Sequence, residues 1–376
     1  MNTWQKLKQQ PKLFKRYFVR EQIFAAIREF FAKKQTHEVE VPLLAPSLPA
    51  ESYLEVFETT LLDRHRHPKR AFLTTSPEMF LKKLLVAGIG SCFSLTKSFR
   101  NTEGESNTHN PEFTILEWYE VGKDYKDVMK TTEELVCYIY DKLFSSSVAR
   151  SDHNRHTELV SASKKSSLIR SNSKLILNYQ NQVIDLTPPW ERISMTEAFA
   201  KYARIDLEKL LDLKSLQTVV RKKGYQVGEG ETWEELFHQI YLNEVVPQFS
   251  KNRPTIIFDY PVQLAALAAK PKASDPRFVE RFEVYIGGIE LADCCTELTQ
   301  VDEQQKRFQK ELTLRKKLGK KDYPVDWEFI EALKLGLPSC AGIALGVDRL
   351  VMLMTNVSRI QDTLFFPSEE MWQGLS

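Results

Sequence analysis

The sequence predicts an α+β fold, an antiparallel sheet flanked by helices, and three observations predict it. Gly287-Gly288 separates two β-rich runs, Arg281 to Ile286 and Ile289 to Leu298, which is a two-residue hairpin signal. A second pair of strands, Cys92 to Arg100 and Phe113 to Tyr119, encloses a polar, acidic loop that contains Gly104 and closes on His109-Asn110-Pro111. Between and around these strands lie segments of helical period, beginning with Ile23, Ala26, Ile27, Phe30 and Phe31.

Composition bounds the class. A chain of 376 residues with 42% hydrophobic and 27% charged residues suits a globular protein of one large domain or two ordinary ones. We expect a cytoplasmic protein with no membrane contact: no apolar run approaches a membrane span, and the first residues lack the pattern of a secretory signal. A net charge of +2 argues against a protein whose main work is gripping phosphate backbones. Cys92, Cys137, Cys294, Cys295 and Cys340 show no paired metal-ligand spacing and read as buried thiols.

In chain order, residues 11–34 read as a helix, followed by a short strand over Glu38 to Val41 that Pro42 stops. Leu73 to Leu84 reads as a turn into a helix, with Ser76 at the N-cap and Pro77 at the first helical position. Glu78 then sits in the first turn, where the helix dipole favours an anion. In the strand Phe113 to Tyr119, alternation puts Phe113, Ile115, Glu117 and Tyr119 on one face and Thr114, Leu116 and Trp118 on the other. A carboxylate among apolar and aromatic neighbours is costly to bury unpaired, so Glu117 implies a cation from outside. An amphipathic helix runs on to about Phe144. Residues 145–173, rich in Ser, Arg, Lys and Asn with no aromatic, read as a mobile surface insertion. Within 194–250 four helical stretches are expected, Met195–Ala203, Leu207–Leu213, Leu216–Lys223 and Thr232–Phe249, as a helical insertion packed on the sheet. Pro254 to Pro261 is a buried strand.

In the Gly287-Gly288 hairpin, Ile286 faces Ile289 and Tyr285 faces Glu290, so Glu283 and Glu290 lie diagonally on one face. Two converging carboxylates without a local base call for a cation, and Mg²⁺ fits. The alternative is a solvated strand pair with Lys or Arg opposite. Glu297 has the opposite parity to Glu290, and the two share a cleft only if the strand is bulged near Ala292-Asp293. A polar helix over Asp302 to Lys317 ends in the basic run 316–321, read as a solvated helix end. Ser339 to Gly346 is a strand with small residues on one side, breaking into an apolar helix at Asp348 with Arg349 at the junction.

HNPEFT at 109–114 with the glutamate and tyrosine that follow, TSPE at 75–78 and GIALGVDRLVML at 342–353 resemble the motifs of the class II aminoacyl-tRNA synthetases, in their lysine branch. The resemblance implies the class II synthetase catalytic fold over residues 1–376, no anticodon-binding OB domain, and a homodimer formed through the first helix, strand and Pro42 (motif 1). It implies an ATP site holding Mg²⁺ and an aminoacyl-adenylate product. Arg100 would be the catalytic residue, bridging the amino acid's carboxylate and the α-phosphate. Glu103 would touch the adenine side, Phe113 and Arg349 would sandwich the adenine, His109 would lie near the phosphates, and Glu283 and Glu290 would hold the metal. Glu78 would take the near amine of the substrate; Glu117, Tyr119 and Glu297 would cage the far ammonium of lysine, with Asp293 and Ala344 also at the substrate. The phrases RFEVYIGGIELA, TILEWY and GIALGVDRLVML resemble the truncated lysyl-tRNA synthetase paralogues that activate (R)-β-lysine and join it to a lysine ε-amine of elongation factor P. Ala344 stands where lysyl-tRNA synthetases have glycine, Asp293 where asparagine is expected, and Cys294-Cys295 where a glycine and an aromatic are expected; the loop from Arg100 to His109 is one residue longer than usual. With no evident basic surface, tRNA is the less expected acceptor. A minimal tRNA-charging ligase and a non-catalytic, ligand-binding paralogue stand as the alternatives.

Overall fold

The computed structural model describes residues 2–102, 106–144, 174–265 and 267–372. Glu103 and the Ser-rich stretch 145–173 lie outside the described residues, and so do the expectations placed on them.

The chain opens with α1 (Thr3–Gln9), which periodicity had not indicated, and α2 (Phe14–Lys33), which buries Ile23, Ala26, Ile27, Phe30 and Phe31 as expected. The strand foreseen over 38–41 is only β1 (His37–Glu38), because β5 offers it just two paired residues, Cys92 and Phe93. Strands β2 (Leu44–Ala45), β3 (Glu58–Leu62) and β4 (Pro68–Leu73) form a small separate sheet. Then come α3 (Glu78–Val86), the pair β5 (Cys92–Phe99) and β6 (Glu112–Val121), and α4 (Tyr125–Phe144). A hairpin of β7 (Ile176–Tyr179) and β8 (Gln182–Asp185) precedes β9 (Glu191–Ser194).

The stretch 194–250 is helical much as expected, but less regular: Met195–Ala203 ends in a π turn, and the helix expected from Leu216 starts earlier, at Leu213. It contains α5 (Met195–Ala198), α6 (Leu213–Lys222) and α7 (Trp233–Ile240). Leu207 to Leu213 is only one 3₁₀ turn, because Asp212 accepts from the Ser215 N–H and starts α6 there. Downstream of α7 the chain loosens into a π turn and then a 3₁₀ turn at Val246–Gln248, where Pro247 has no N–H to continue the ladder. After β10 (Thr255–Pro261) follow β11 (Phe278–Ile286), β12 (Ile289–Thr296), α8 (Val301–Lys317), α9 (Trp327–Lys334), β13 (Cys340–Gly346), α10 (Val347–Thr355) and α11 (Ser368–Met371).

Eight strands form the main sheet in the order β1-β5-β6-β13-β12-β11-β10-β9. From β5 to β10 every pair is antiparallel. The edges depart from the expected antiparallel sheet: β1 joins β5 and β9 joins β10 in parallel. A parallel pair needs a long crossover, and the helical stretch between β9 and β10 supplies one.

One face of this sheet carries the largest core. Leu116 and Trp118 of β6 and Ile343 and Leu345 of β13 pack there against α2, α4 and α10. Phe31 stacks on Phe93 at 4.6 Å and tilts against Trp118 at 5.4 Å. The opposite face is flanked by two smaller cores. Cys92, Tyr119 and Cys340 pack with residues of α3 and α9 at one end, and Ile257, Val279 and Tyr285 pack with α5 and α7 at the other. Between these two walls the second face stays open. No helix among the described residues is long and apolar enough to cross a membrane.

Candidate active site

The open face is built by strand register. Glu283 pairs with Asp293, Asp293 with Ala344, Ala344 with Glu117, and Glu117 with Ser94. Directly opposed residues point to the same side of a sheet. The next row on that side is Arg281, Cys295, Gly342, Tyr119 and Cys92. Three segments far apart in the chain thus bring Glu117, Tyr119, Glu283, Asp293 and Ala344 into adjacent rows. The bulge that sequence parity required is present one residue early: Tyr285 faces Glu290 while Val284 faces Ala292, leaving Leu291 as the extra residue. It turns Glu290 and Asp293 to the same cleft.

One half of this face is acidic. Glu117 is buried; its oxygens accept from the Ser76 hydroxyl and the Tyr119 hydroxyl, each at 2.7 Å. Burial pushes its pKa up to about 8, with the charge of Glu78 adding to the rise. Ser76 also accepts from the Glu78 N–H at 3.0 Å, but it stands one residue before the cap: α3 begins at Glu78 with Pro77 as the N-cap, because the Pro77 carbonyl accepts the first helical N–H groups. Glu297 follows β12, with its N–H bonded to the Cys340 carbonyl, and burial raises its pKa to about 7 against the pull of Lys82. The Cys295 thiol donates to it at 3.7 Å.

Lys82, which the sequence reading missed, lies among these acids. It is buried, with Nζ 2.6 Å from Glu78 Oε1 and 2.5 Å from Glu297 Oε2. Burial works against its charge, but Glu297 and Glu78 together hold its pKa above the ordinary lysine range. The signal was available: Glu78 and Lys82 are four apart on one helix. Gly342 was passed over too. A Cβ there would lie 2.3 Å from Tyr119 Cε1 and 2.6 Å from Glu297 Oε1, so the pocket walls close directly on its backbone.

The other half of the face is cationic and aromatic. Arg100, His109, Phe113, Glu290 and Arg349 line one cleft with Ala344 and Asp293. Arg100 Cζ stands 5.3 Å from the centre of the Phe113 ring. Arg349 donates to the Glu290 carbonyl at 2.7 Å, lies 2.9 Å from His109 Nε2, and has Glu290 Oε1 at 3.5 Å. The helix start that carries Arg349 is anchored by its neighbour. Buried Asp348 accepts from the Thr114 N–H at 2.7 Å and from Arg20, whose Nη2 also donates to the Thr114 hydroxyl at 2.6 Å. In the sequence Asp348 reads only as the start of the apolar helix, and Arg20 does not stand out.

The glutamate pair needs a correction. No local base was expected beside Glu283, yet Arg281 is there, two residues away on the same strand face. Its guanidinium binds both oxygens of Asp293 at 2.9 Å, one oxygen of Glu283 at 2.9 Å and the Leu264 carbonyl at 2.8 Å. Glu283 also accepts from the Tyr285 hydroxyl at 2.8 Å. Burial raises Glu283 to about 7 while Arg281 opposes the rise. The charge that Asp293 adds is therefore neutralised in place. A magnesium ion takes one or two carboxylates and fills its remaining positions with phosphate oxygens and water. Exposed Glu290 fits that role beside the cleft, whereas Glu283 is already held by its neighbours. Among the described residues no group of His, Cys, Asp and Glu forms a metal cage without such help.

Chemically, the arrangement offers guanidinium groups and a ring at one end and carboxylates at the other, about as a molecule with an anionic, aromatic part and a cationic part would require. The family model described as tRNA synthetases class II (D, K and N) matches residues 2–370. The chain is 32% identical over 357 residues to the lysine–tRNA ligase of Carboxydothermus hydrogenoformans, covering 95% of this chain and 66% of that protein. It is 34% identical over 361 residues to the lysine–tRNA ligase of Pelotomaculum thermopropionicum, covering 95% and 64%. For that of Legionella pneumophila the figures are 33% over 354 residues, 94% and 64%. The chain thus spans just under two thirds of the length of these relatives.

Proposed function

This chain belongs to the class II tRNA synthetases (D, K and N), and on that premise we propose that it activates a lysine-type diamino acid with ATP and passes the aminoacyl group to an amine. In the first step a carboxylate oxygen of the amino acid attacks the α-phosphorus, the bond from that phosphorus to the bridging oxygen breaks, and pyrophosphate leaves. In the second, an acceptor amine attacks the carbonyl carbon and AMP leaves. The observation that carries this reading is the two-signed face: register aligns Glu117, Ala344, Asp293 and Glu283, and Arg100 and Arg349 line the cleft beside them.

The roles follow the signs. Arg100 neutralises the carboxylate and the α-phosphate as they meet, which is the positioning and charge work such reactions need. Phe113 and Arg349 hold the adenine between a ring and a guanidinium, His109 lies toward the phosphates, and Glu103 contributes from the same loop. Mg²⁺ neutralises phosphate charge when bound; Glu290 is the accessible carboxylate for it, with Glu283 behind. Glu78 takes the near amine, and Glu117, Tyr119 and Glu297 take the far ammonium. Ala344 lies between Glu117 and Asp293 in the row, where its methyl sets the room for the near amine.

We assign the substrate as (R)-β-lysine or lysine and the acceptor as a lysine ε-amine of elongation factor P. The match of 281–292, 114–119 and 342–353 to that paralogue family supports the assignment, as does Ala344. A second reading, transfer to tRNA, is favoured by the names of the relatives. We read the chain as one catalytic domain with a helical insertion at 194–250, working as a homodimer through the α2 region; exposed Leu43 and Leu44 beside that region support the pairing.

Pyrophosphate exchange with ATP, run with lysine, with (R)-β-lysine and with neither, tests activation. Exchange that requires a diamino acid is expected; none with either would leave a ligand-binding paralogue. Repeating the reaction with elongation factor P and with tRNA then identifies the acceptor.

A further inference from the structure

The acidic half of the cleft has three carboxylates, Glu78, Glu117 and Glu297, and a lysine of its own. Glu117 is held by two hydroxyls, from Ser76 and Tyr119. Glu78 and Glu297 are held by Lys82, whose Nζ lies 2.6 Å from one and 2.5 Å from the other. The ammonium is also 6.0 Å from the centre of the Tyr119 ring and 5.8 Å from that of Phe329, so α9 closes over it. The titratable groups that act on Lys82 from the neighbouring elements are Glu78, Glu117, Tyr119, Cys295, Glu297 and Cys340.

We infer that Lys82 is a specificity-determining positioning residue: a built-in counter-ion between Glu78 and Glu297, so that three carboxylates less one ammonium leave two negative charges for an amino acid with two ammonium groups to balance when it binds. Three carboxylates left to themselves would not all ionise, since like charges in a buried site raise one another's pKa. One fixed ammonium between two of them lessens that conflict. A substrate with one ammonium then leaves one buried carboxylate without a partner, and it is rejected for that reason. The inference rests on the reading given above, in which Arg100 takes the carboxylate end of the substrate.

The test uses the full chain with Lys82→Met, which keeps the length of the side chain without its charge, and Lys82→Ala. The first readout needs no activity: thermal unfolding without ligand across about pH 5 to 9. Without the ammonium, Glu297, which burial already makes hold its proton to higher pH, holds it to higher pH still in the folded protein. The Met variant should therefore lie closest to the wild type at acid pH and fall progressively below it as pH rises. The second readout is pyrophosphate exchange. For the Met variant at neutral pH the KM for the diamino acid should rise at least about tenfold with kcat changing less, and the acid limb of kcat/KM should move to higher pH. Exchange by the Ala variant should be restored saturably by propylammonium and not by propanol. A gap in unfolding temperature that is the same at every pH would overturn the inference and leave Lys82 as packing. A KM that falls in the Met variant would also overturn it, because Lys82 would then be competing for the substrate's place. Should the wild type show no exchange with any diamino acid, the activation reading fails, and the unfolding series still decides the role of Lys82.

Discussion

Gly342 has no room for a side chain. Its would-be Cβ meets the Tyr119 ring and a Glu297 oxygen, both well inside contact distance and both buried. Gly342→Ala should cost about 1–3 kcal/mol, the usual range for overpacking, and should abolish diamino-acid activation by pushing Tyr119 and Glu297 apart; thermal unfolding and pyrophosphate exchange check the two parts. Arg281 is the residue whose loss the fold should feel most in this region. It binds Asp293 through both oxygens and Glu283 through one. Arg281→Met leaves two neighbouring carboxylates without their cation and should cost about 3–5 kcal/mol. Asp293→Asn keeps an oxygen for the guanidinium, so it should cost under about 1.5 kcal/mol and shift the preference between lysine and (R)-β-lysine less than about threefold. Chemical denaturation and the ratio of exchange rates measure these. At this scale the sequence was partly legible. Glu117 announced itself by standing among apolar residues. Arg281 did not, and for Lys82 the four-residue spacing from Glu78 signalled a pair without telling a buried one from a solvated one.

The β11–β12 hairpin shows what an element decides. Gly287 and Gly288 have φ of +59° and +82°, both in the left-handed region that a type I′ turn requires. They set the register from which Tyr285 faces Glu290 and Glu283 faces Asp293. The two glycines differ in surroundings: a Cβ on Gly288 meets nothing, whereas one on Gly287 meets Ile184 Cδ1 and Tyr179 Cδ1 at 3.0 Å. Gly288→Ala should cost about 1–2 kcal/mol, the backbone term alone, and Gly287→Ala should cost more; the order of their unfolding midpoints checks this. The hairpin was legible because its signal is local. The bulge was legible only as a need, from the parity of Glu290 against Glu297. Its place at Leu291 depends on that residue packing into the main core, which is a tertiary fact.

For the molecule as a whole, the two-signed cleft makes both stability and binding depend on pH. Burial, with Glu78 adding, raises Glu117 to about 8, and burial raises Glu297 to about 7 against Lys82. A carboxyl whose folded pKa exceeds its unfolded value contributes stability that is fully present below the unfolded value and is lost as pH rises through the folded one. The ligand-free protein should therefore lose stability between about pH 6 and 8.5 from these groups, as thermal unfolding will read. Binding of a diammonium substrate requires the ionised forms, so its KM should fall across the same interval, and saturating substrate should flatten the unfolding curve.

The sequence by itself determined the central strands of the sheet, from β5 to β10, the hairpin turn and the identity of most side chains on the open face, because alternation and turn residues are local constraints that act wherever the chain ends up. The motifs carried the family as well. What only the tertiary structure decided is which charges cancel. Whether Asp293 adds to the pocket or is consumed by Arg281, and whether three acids stand alone or share Lys82, depends on distances between elements that are remote in sequence and on burial that weakens the screening by water. Those two conditions exist only once the walls have closed around the sheet.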